Sequence, residues 1–194
     1  YKNISYGFNT IDGSEGYFSK STPGEMNGPI DYSSKVSDTK FDIDRGFYQS
    51  PFNVKITTKT KGSTIIYTID GSNPSLDNGT KVVSDDPQQQ ISATLYIDKT
   101  TTLRAAAFKQ GLIPSNIDTQ TYLFLDDIVT QTERPEGYPY PWVSRNGQSI
   151  EGDYGMDPNV VGKLYSLEEI KESLLDIPTV SIVTDQNNFF GTRS

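Results

Sequence analysis

Between residues 52 and 125 the chain consists of short runs that either alternate apolar and polar residues or are rich in β-branched and aromatic residues, and turn residues separate them. Phe52, Val54 and Ile56 alternate with three polar residues, as in a strand with one buried and one wet face. No helical segment intervenes, so the pattern predicts an all-β fold, an immunoglobulin-like antiparallel β-sandwich whose first two runs pair with each other. The predicted strands are residues 52–57, 63–70, 90–97, 101–109 and 119–125.

The residue types that are absent exclude most catalytic chemistry. The chain of 194 residues has no histidine and no cysteine, which excludes a Ser-His-Asp triad, a thiol nucleophile, a disulfide and the usual zinc sites. With 25 acidic against 17 basic residues the net charge is −8, so binding to nucleic acid or to anionic membranes is not expected. The sequence has no apolar run of bilayer length, and no membrane insertion is predicted. We expect no catalytic residue and no cofactor in this chain.

The flanks differ in texture from the central strands. Residues 1–35 are rich in Gly, Ser and Pro. Residues 126–165 form a connector rich in proline and aromatic residues, which precedes the predicted helix. Ser166 and Glu169 form a capping box that predicts one short helix from Ser166 to about Asp176, within a partly irregular C-terminal extension. The sequence of residues 178–184 predicts a strand. The predicted organisation is a linker region (1–35), the sandwich (36–125), the connector (126–165) and the start of a further domain (166–194).

Several side chains are candidate ligands for a metal ion or a glycan. Asp70 and Asp77 have the chemistry for a structural calcium site, but Asp and Gly are also what a tight turn after a strand requires. Tyr138, Tyr140 and Trp142 could stack on sugar rings, or could pin the connector against the sandwich or a neighbouring domain. Arg104 is predicted to pair with an Asp within the chain. Paired carboxylates could support glycoside hydrolysis, but no spacing selects a pair.

Ordered blocks in the central segment resemble a known module. These are residues 46–48, 51–54, 64–75, 100–108 and 121–122, together with Gly111, Pro114 and Ser115. They resemble the β-sandwich module at the C-terminus of chitobiases and bacterial β-hexosaminidases, over about residues 41–125. The resemblance implies an accessory domain rather than a catalytic one.

The flanks carry further resemblances. Residues 5–7, 16–18 and 22–27 look like the last strands of a lamin-tail-like domain. Residues 153–158, 177–185 and 188–191 resemble the entry into a domain of the spore-coat CotH kinase-like family. That family's ATP-handling residues would lie beyond residue 194, so none is carried over. This order of modules implies a secreted, multi-domain bacterial surface protein.

The sequence therefore predicts a non-catalytic accessory or spacer module of a secreted or cell-surface bacterial protein, with weak glycan contacts. Its expected partners are neighbouring domains of the same polypeptide, and polysaccharide or other cell-surface proteins. A dedicated carbohydrate-binding module is the first alternative. The second is the N-terminal part of a CotH-like kinase or a glycoside hydrolase whose active site lies outside this chain.

Overall fold

A computed structural model describes residues 4–144, 146–184 and 188. Short strands dominate these residues, and the two helices among them both follow the last long strand. The elements are β1 (Ser5–Phe8), β2 (Glu15–Phe18), β3 (Ser34–Lys35), β4 (Lys40–Phe41), β5 (Gly46–Tyr48), β6 (Phe52–Thr57), β7 (Thr64–Thr68), β8 (Thr80–Val83), β9 (Ser92–Ile97), β10 (Thr101–Phe108), β11 (Leu112–Ile113), β12 (Asp118–Phe124), α1 (Leu125–Val129), β13 (Trp142–Val143), β14 (Ser149–Ile150) and α2 (Leu167–Asp176).

Two sheets enclose one core. The larger sheet has the strand order β5-β12-β10-β7-β8 and the smaller sheet has the order β4-β6-β9. Alternate residues of each sheet face the other sheet, as the period-two runs require. The fully buried core residues include Val54, Ile56, Ile65, Leu103 and Tyr122. The predicted all-β, immunoglobulin-like sandwich is confirmed, although β5 and β12 pair in parallel.

The predicted pairing of the first two runs is wrong. Strands β6 and β7 lie in different sheets, and the intervening residues cross from one sheet to the other. The crossing is held by polar groups: the Thr58 hydroxyl donates to the Ser37 carbonyl at 2.8 Å, and the Ser63 hydroxyl donates to the Thr60 carbonyl at 2.7 Å. Gly62 turns there with φ +62°, and a Cβ would lie 2.5 Å from the Pro87 carbonyl oxygen. Both runs can then direct their apolar faces into the same core.

The predicted C-terminal helix is confirmed. Helix α2 has Ser166 as its N-cap and a complete capping box, in which the Glu169 N–H donates to the Ser166 hydroxyl and the Glu169 carboxylate accepts from the Ser166 N–H at 2.8 Å. Helix α1 was not predicted. It begins at Leu125, where a strand was expected to end, because burial of Leu125 and Val129, four residues apart, favours a helical turn.

The predicted strand at residues 178–184 is wrong. These residues pair with no strand in the described part of the chain. The Ser181 hydroxyl lies 2.8 Å from the Thr121 hydroxyl, which places the segment against a side-chain face of β12, a central strand of its sheet. A segment lying on a face cannot join the backbone ladder, since ladder hydrogen bonds form only at an edge.

The N-terminal residues form a small separate hairpin. Strands β1 and β2 pair with each other, and β3 then pairs in parallel with β11 at the end of the sandwich. Asp185, Phe189, Phe190 and Gly191, which belong to the CotH-like resemblance, lie outside the described residues. Among the described residues, neither helix has the length and apolar character needed to cross a bilayer.

Candidate functional site

Two of the predicted glycan-contact rings, Tyr138 and Trp142, pack against Tyr154. The Trp142 indole N–H donates to the Tyr154 hydroxyl at 2.5 Å, and that hydroxyl donates to the Pro139 carbonyl at 2.8 Å. The Tyr138 and Trp142 ring centroids lie 5.6 Å and 5.9 Å from that of Tyr154. We call Tyr138, Trp142 and Tyr154 the aromatic cluster. Tyr154 organises it, and sequence reasoning missed this residue because it lies twelve positions after Trp142 in the chain.

The connector backbone brings these rings together. Trp142 lies in β13, which pairs with β14 in a short hairpin. A Cβ at Gly152 would lie 2.6 Å from the Tyr154 ring and 2.9 Å from the Trp142 indole nitrogen, so only glycine permits this approach. The Gln131 side-chain amide also donates to the Tyr154 carbonyl.

The three predicted rings differ in the surface they leave open. The Arg134 guanidinium lies 4.1 Å from the Tyr140 ring centroid and donates to the Tyr140 hydroxyl at 3.3 Å, so one face of Tyr140 is covered. Tyr138 is 55% exposed and Trp142 is 38% exposed. Partial exposure of this kind is what stacking of a ring on a sugar would require.

Asp70 builds a turn. Its carboxylate accepts hydrogen bonds from the Ser72 hydroxyl at 2.6 Å and from the Ser72 N–H at 3.0 Å, and these bonds lower its pKa. The Asn78 amide ties the same loop by donating to the Ser72 hydroxyl at 3.0 Å. At Asp77 the backbone N–H donates to the Ser75 hydroxyl at 3.2 Å. The described residues contain no group of three or more Asp, Glu, His or Cys side chains placed to hold a metal ion.

Among the described residues Arg104 pairs with no Asp, contrary to the prediction. Its guanidinium donates to the Gly71 carbonyl at 3.1 Å and to the Thr119 hydroxyl at 3.3 Å. The arginine therefore joins the turn after β7 to the neighbouring strand β12. The sequence could not reveal this partner, because the acceptor is a backbone carbonyl in a loop.

The carboxyl groups with shifted pKa values in the described residues all have lowered values. The pKa of Asp12, like that of Asp70, is lowered first by a hydrogen bond from a serine hydroxyl and second by a hydrogen bond from the N–H of the same serine. In Asp31 and Glu169 the backbone N–H of a serine acts first and its hydroxyl second. A general acid near neutral pH needs a raised pKa, so these four groups serve turns and caps rather than proton transfer.

A cleft that the sequence did not indicate opens along one side of the sandwich. It has a volume of about 580 Å³ and runs between β9 on one side and β7, β8 and the loop joining them on the other. We call it the β9 cleft. Its lining includes Tyr67, Asp70, Asn78, Thr80 and the continuous run 94–99. The composition of β9 was visible in the sequence, but its position at the edge of a sheet was not.

Comparison with known proteins agrees with the architecture of the central segment. No curated protein and no solved structure matches the chain. One family model does match, and it covers much of the sandwich but neither the N-terminal hairpin nor the helix α2. Residues 43–119 match the family described as the chitobiase/beta-hexosaminidase C-terminal domain.

Proposed function

We propose that this chain is a non-catalytic accessory and spacer module, which holds the segments before and after its sandwich in fixed positions. The match over residues 43–119 supports an accessory β-sandwich module. The observation that carries the spacer role is that both flanks continue from the sandwich through hydrogen-bonded and buried residues. A flexible linker would instead leave the entering and leaving chain solvated.

The N-terminal flank is tied to the sandwich through residues 33–39. The Val36 N–H donates to the Ile113 carbonyl at 2.9 Å, and the Val36 side chain is buried. The Ser37 N–H donates to the Thr60 hydroxyl at 2.8 Å. The buried Thr39 hydroxyl donates to the Asp118 carboxylate at 2.6 Å. These bonds join the segment to three separate parts of the sandwich, which restricts its rotation.

The C-terminal flank continues from β12 into α1 without an intervening loop. Leu125 and Val129 are buried, and the Asp127 carboxylate accepts a hydrogen bond from the Thr100 N–H at 2.5 Å. Helix α2 then contacts α1 through an ion pair of Lys171 with Asp126. This pair is exposed on the Asp126 side, so it adds little stability, but it defines where α2 lies.

Distance measurements between spin labels test the spacer role. The natural chain has no cysteine, so labels attach only where cysteine is introduced. We expect narrow distance distributions for the pairs Lys20→Cys with Lys55→Cys and Lys55→Cys with Glu172→Cys. The variant Thr60→Ala removes the acceptor of the Ser37 N–H and should broaden only the first distribution. Broad distance distributions in the labelled proteins that lack Thr60→Ala would refute the proposal. Hydrolase activity in the purified chain would also refute it.

A carbohydrate-binding module is the second candidate. It is favoured by the partial exposure of Tyr138 and Trp142, both of which pack against Tyr154. Affinity electrophoresis in gels containing polysaccharide should then retard the natural chain but not the variant Trp142→Ala. The variant Tyr96→Ala, on the distant strand β9, is the matched control and should be retarded like the natural chain.

We also propose a setting for the module, a secreted or cell-surface bacterial protein with several domains. Residues 1–35 would complete a lamin-tail-like domain and residues 166–194 would begin a CotH-like or glycoside hydrolase domain. The support is the apolar surface of the C-terminal extension, where Leu164, Ile177, Val180 and Ile182 are exposed and a neighbouring domain would cover them. A longer protein should transfer phosphate or cleave glycosides, whereas residues 1–194 alone should do neither.

A further inference from the structure

The two sheets of the sandwich have unequal widths. Phe52 of β6 packs against Tyr48 of β5 and Tyr122 of β12, with ring centroids 4.4 Å and 5.2 Å apart. Strand β6 therefore lies over β5 and β12. Its neighbours in the smaller sheet are β4 on one side and β9 on the other, and β9 lies over the middle of the larger sheet. In the described part of the chain no strand follows β9 in the smaller sheet, while the larger sheet continues to β8. Tyr67 and Val82, at this overhang, remain only partly buried.

The β9 cleft occupies the space beside that overhang. Its contiguous lining from residue 94 to 99 follows the side of β9 opposite to β6, and Tyr67 and Thr80 line the other wall. Neighbouring strands in a sheet lie about 4.8 Å apart, and stacked sheets lie about 10 Å apart. One more strand beside β9 would thus extend the smaller sheet to four strands and cover the overhang.

Strand β9 lacks the features that usually prevent pairing at an edge. All six of its residues pair with β6 in an uninterrupted register, so no bulge twists the strand away. Its sequence, residues 92–97, contains no charged residue, proline or glycine. Two of the other edge strands of the two sheets carry a lysine, Lys40 in β4 and Lys81 in β8. Edges are normally blocked by such residues, and an unblocked edge is a template for another strand.

The groups presented by this edge define the ligand. Alternate N–H and C=O groups along about 20 Å of backbone are complemented by an extended polypeptide, which repeats its own donors and acceptors with the same spacing. Side chains of an added strand would alternate between the overhang, where apolar residues fit against Tyr67, and the outer face beside Tyr96, which is 63% exposed. An apolar residue at every second position is therefore required.

Charge separates a foreign partner from a second copy of this chain. Asp70 and Asp98 line the cleft against the single lysine Lys99, and the chain as a whole carries −8. Two copies would repel each other, whereas a segment with Lys or Arg near one end would be attracted.

We propose that the free edge of β9 binds an extended segment of a partner protein by β-strand addition, with apolar residues at alternate positions and a basic residue at one end. This activity goes beyond the spacer role and does not depend on it.

A displayed library of octapeptides tests the proposal. The library carries Val, Ile, Leu or Phe at alternate positions and any residue elsewhere, and it is selected on the intact chain. We expect enriched peptides to contain Lys or Arg and to shift the amide resonances of residues 92–99. If no octapeptide is enriched, or if the resonance shifts fall elsewhere, the proposal is wrong.

N-methylation of the best octapeptide tests the hydrogen bonds without altering the protein. One version is methylated at all even positions and the other at all odd positions, so that each blocks a different edge of the peptide. An added strand uses only one of its edges, so one version should lose binding by about tenfold or more while the other retains it. Equal retention or equal loss would contradict strand addition.

Two matched lysine substitutions locate the site on the protein. Asn53 lies directly opposite Tyr96 in the β6–β9 register, and both side chains are exposed on the same face. Tyr96→Lys adds a charge to the edge and should weaken peptide binding by about tenfold, while Asn53→Lys should change it about twofold at most. Equal effects would place the peptide elsewhere. Binding of cellohexaose or chitohexaose in the cleft without any peptide binding, or self-association in analytical ultracentrifugation that Tyr96→Lys abolishes, would also overturn the proposal.

Discussion

Aliphatic side chains are buried in the sandwich but exposed in the C-terminal extension. In the sandwich, Ile65 and Leu103 are completely buried, whereas Leu164, Val180 and Ile182 in the extension are 71%, 80% and 72% exposed. Helix α2 has no fully buried residue. An apolar side chain is removed from water only where a second layer covers it, and the extension offers one short hairpin and one helix without such a layer. The apolar burial that stabilises the fold is therefore in the sandwich, whereas the structure of the extension depends on local hydrogen bonds.

Truncating one leucine in each region gives the largest expected contrast. Leu103→Ala empties a site between the two sheets and should lower the free energy of unfolding by about 3 kcal/mol. Leu164→Ala removes the same atoms from an exposed position and should change it by about 0.5 kcal/mol or less. Urea denaturation followed by circular dichroism measures both. Similar losses in the two variants would mean that the extension has a core of its own.

Adding a Cβ to a glycine in each region gives the next largest contrast. Gly79 has φ +111°, and a Cβ would lie 2.7 Å from the Tyr67 carbonyl oxygen in β7. Gly79→Ala should therefore lower the free energy of unfolding by about 2 kcal/mol, since strained backbone must move within the sheet.

Gly152→Ala is the matched change in the extension. The new Cβ would push the Tyr154 and Trp142 rings apart, while the sandwich lies elsewhere. Trp142 is the single tryptophan, so its fluorescence should change while the unfolding midpoint stays the same. A lowered midpoint would show that the aromatic cluster supports the sandwich.

Removing the N-cap of α2 should have a smaller, local effect. Ser166→Ala deletes the hydroxyl that accepts the Glu169 N–H and should destabilise the helix by about 1 kcal/mol. Amide exchange should accelerate in residues 167–176 and remain unchanged in β6 and β10. Faster exchange in those strands would indicate that α2 stabilises the sandwich through α1.

The smallest expected effect is a pH dependence confined to the same cap. Hydrogen bonds from the Ser166 N–H and hydroxyl hold the pKa of Glu169 below its ordinary value of 4.5. The folded pKa is thus lower than the unfolded one, so the cap is fully effective above the unfolded pKa and is lost as the pH falls through the folded pKa. Helix signals should weaken only as the pH falls below 4.5, and Glu169→Gln should remove this dependence. Loss of the helix above pH 5 would contradict this cause.

Local sequence signals predicted the structure where one segment decides the outcome. The alternation in β6 and β9 placed these strands to within two residues, because a half-buried strand needs only its own period of two. The capping box predicted the start of α2, since both of its partners lie within one helical turn. Strand β8 was missed because four residues, two of them polar, carry too little pattern.

The errors concern relations between distant segments. The crossing from β6 to β7 depends on Ser37, more than twenty residues earlier in the chain. The helical state of Leu125 depends on what buries it, and the missing ladder at residues 178–184 depends on the Thr121 hydroxyl. Among the candidate site residues, Trp142 and Tyr138 were named, but Tyr154, which brings them together, was not.

By itself, the sequence determined which segments could be strands, where the last helix begins, and which chemistry the chain lacks, because these follow from side-chain period, capping groups and residue types. The tertiary structure decided which strands share a sheet, that β9 is the last strand of the smaller sheet among the described residues, and that a cleft lies beside it. The order of the strands depends on burying the apolar faces of all the runs at once, so it cannot be predicted from the sequence of any one run.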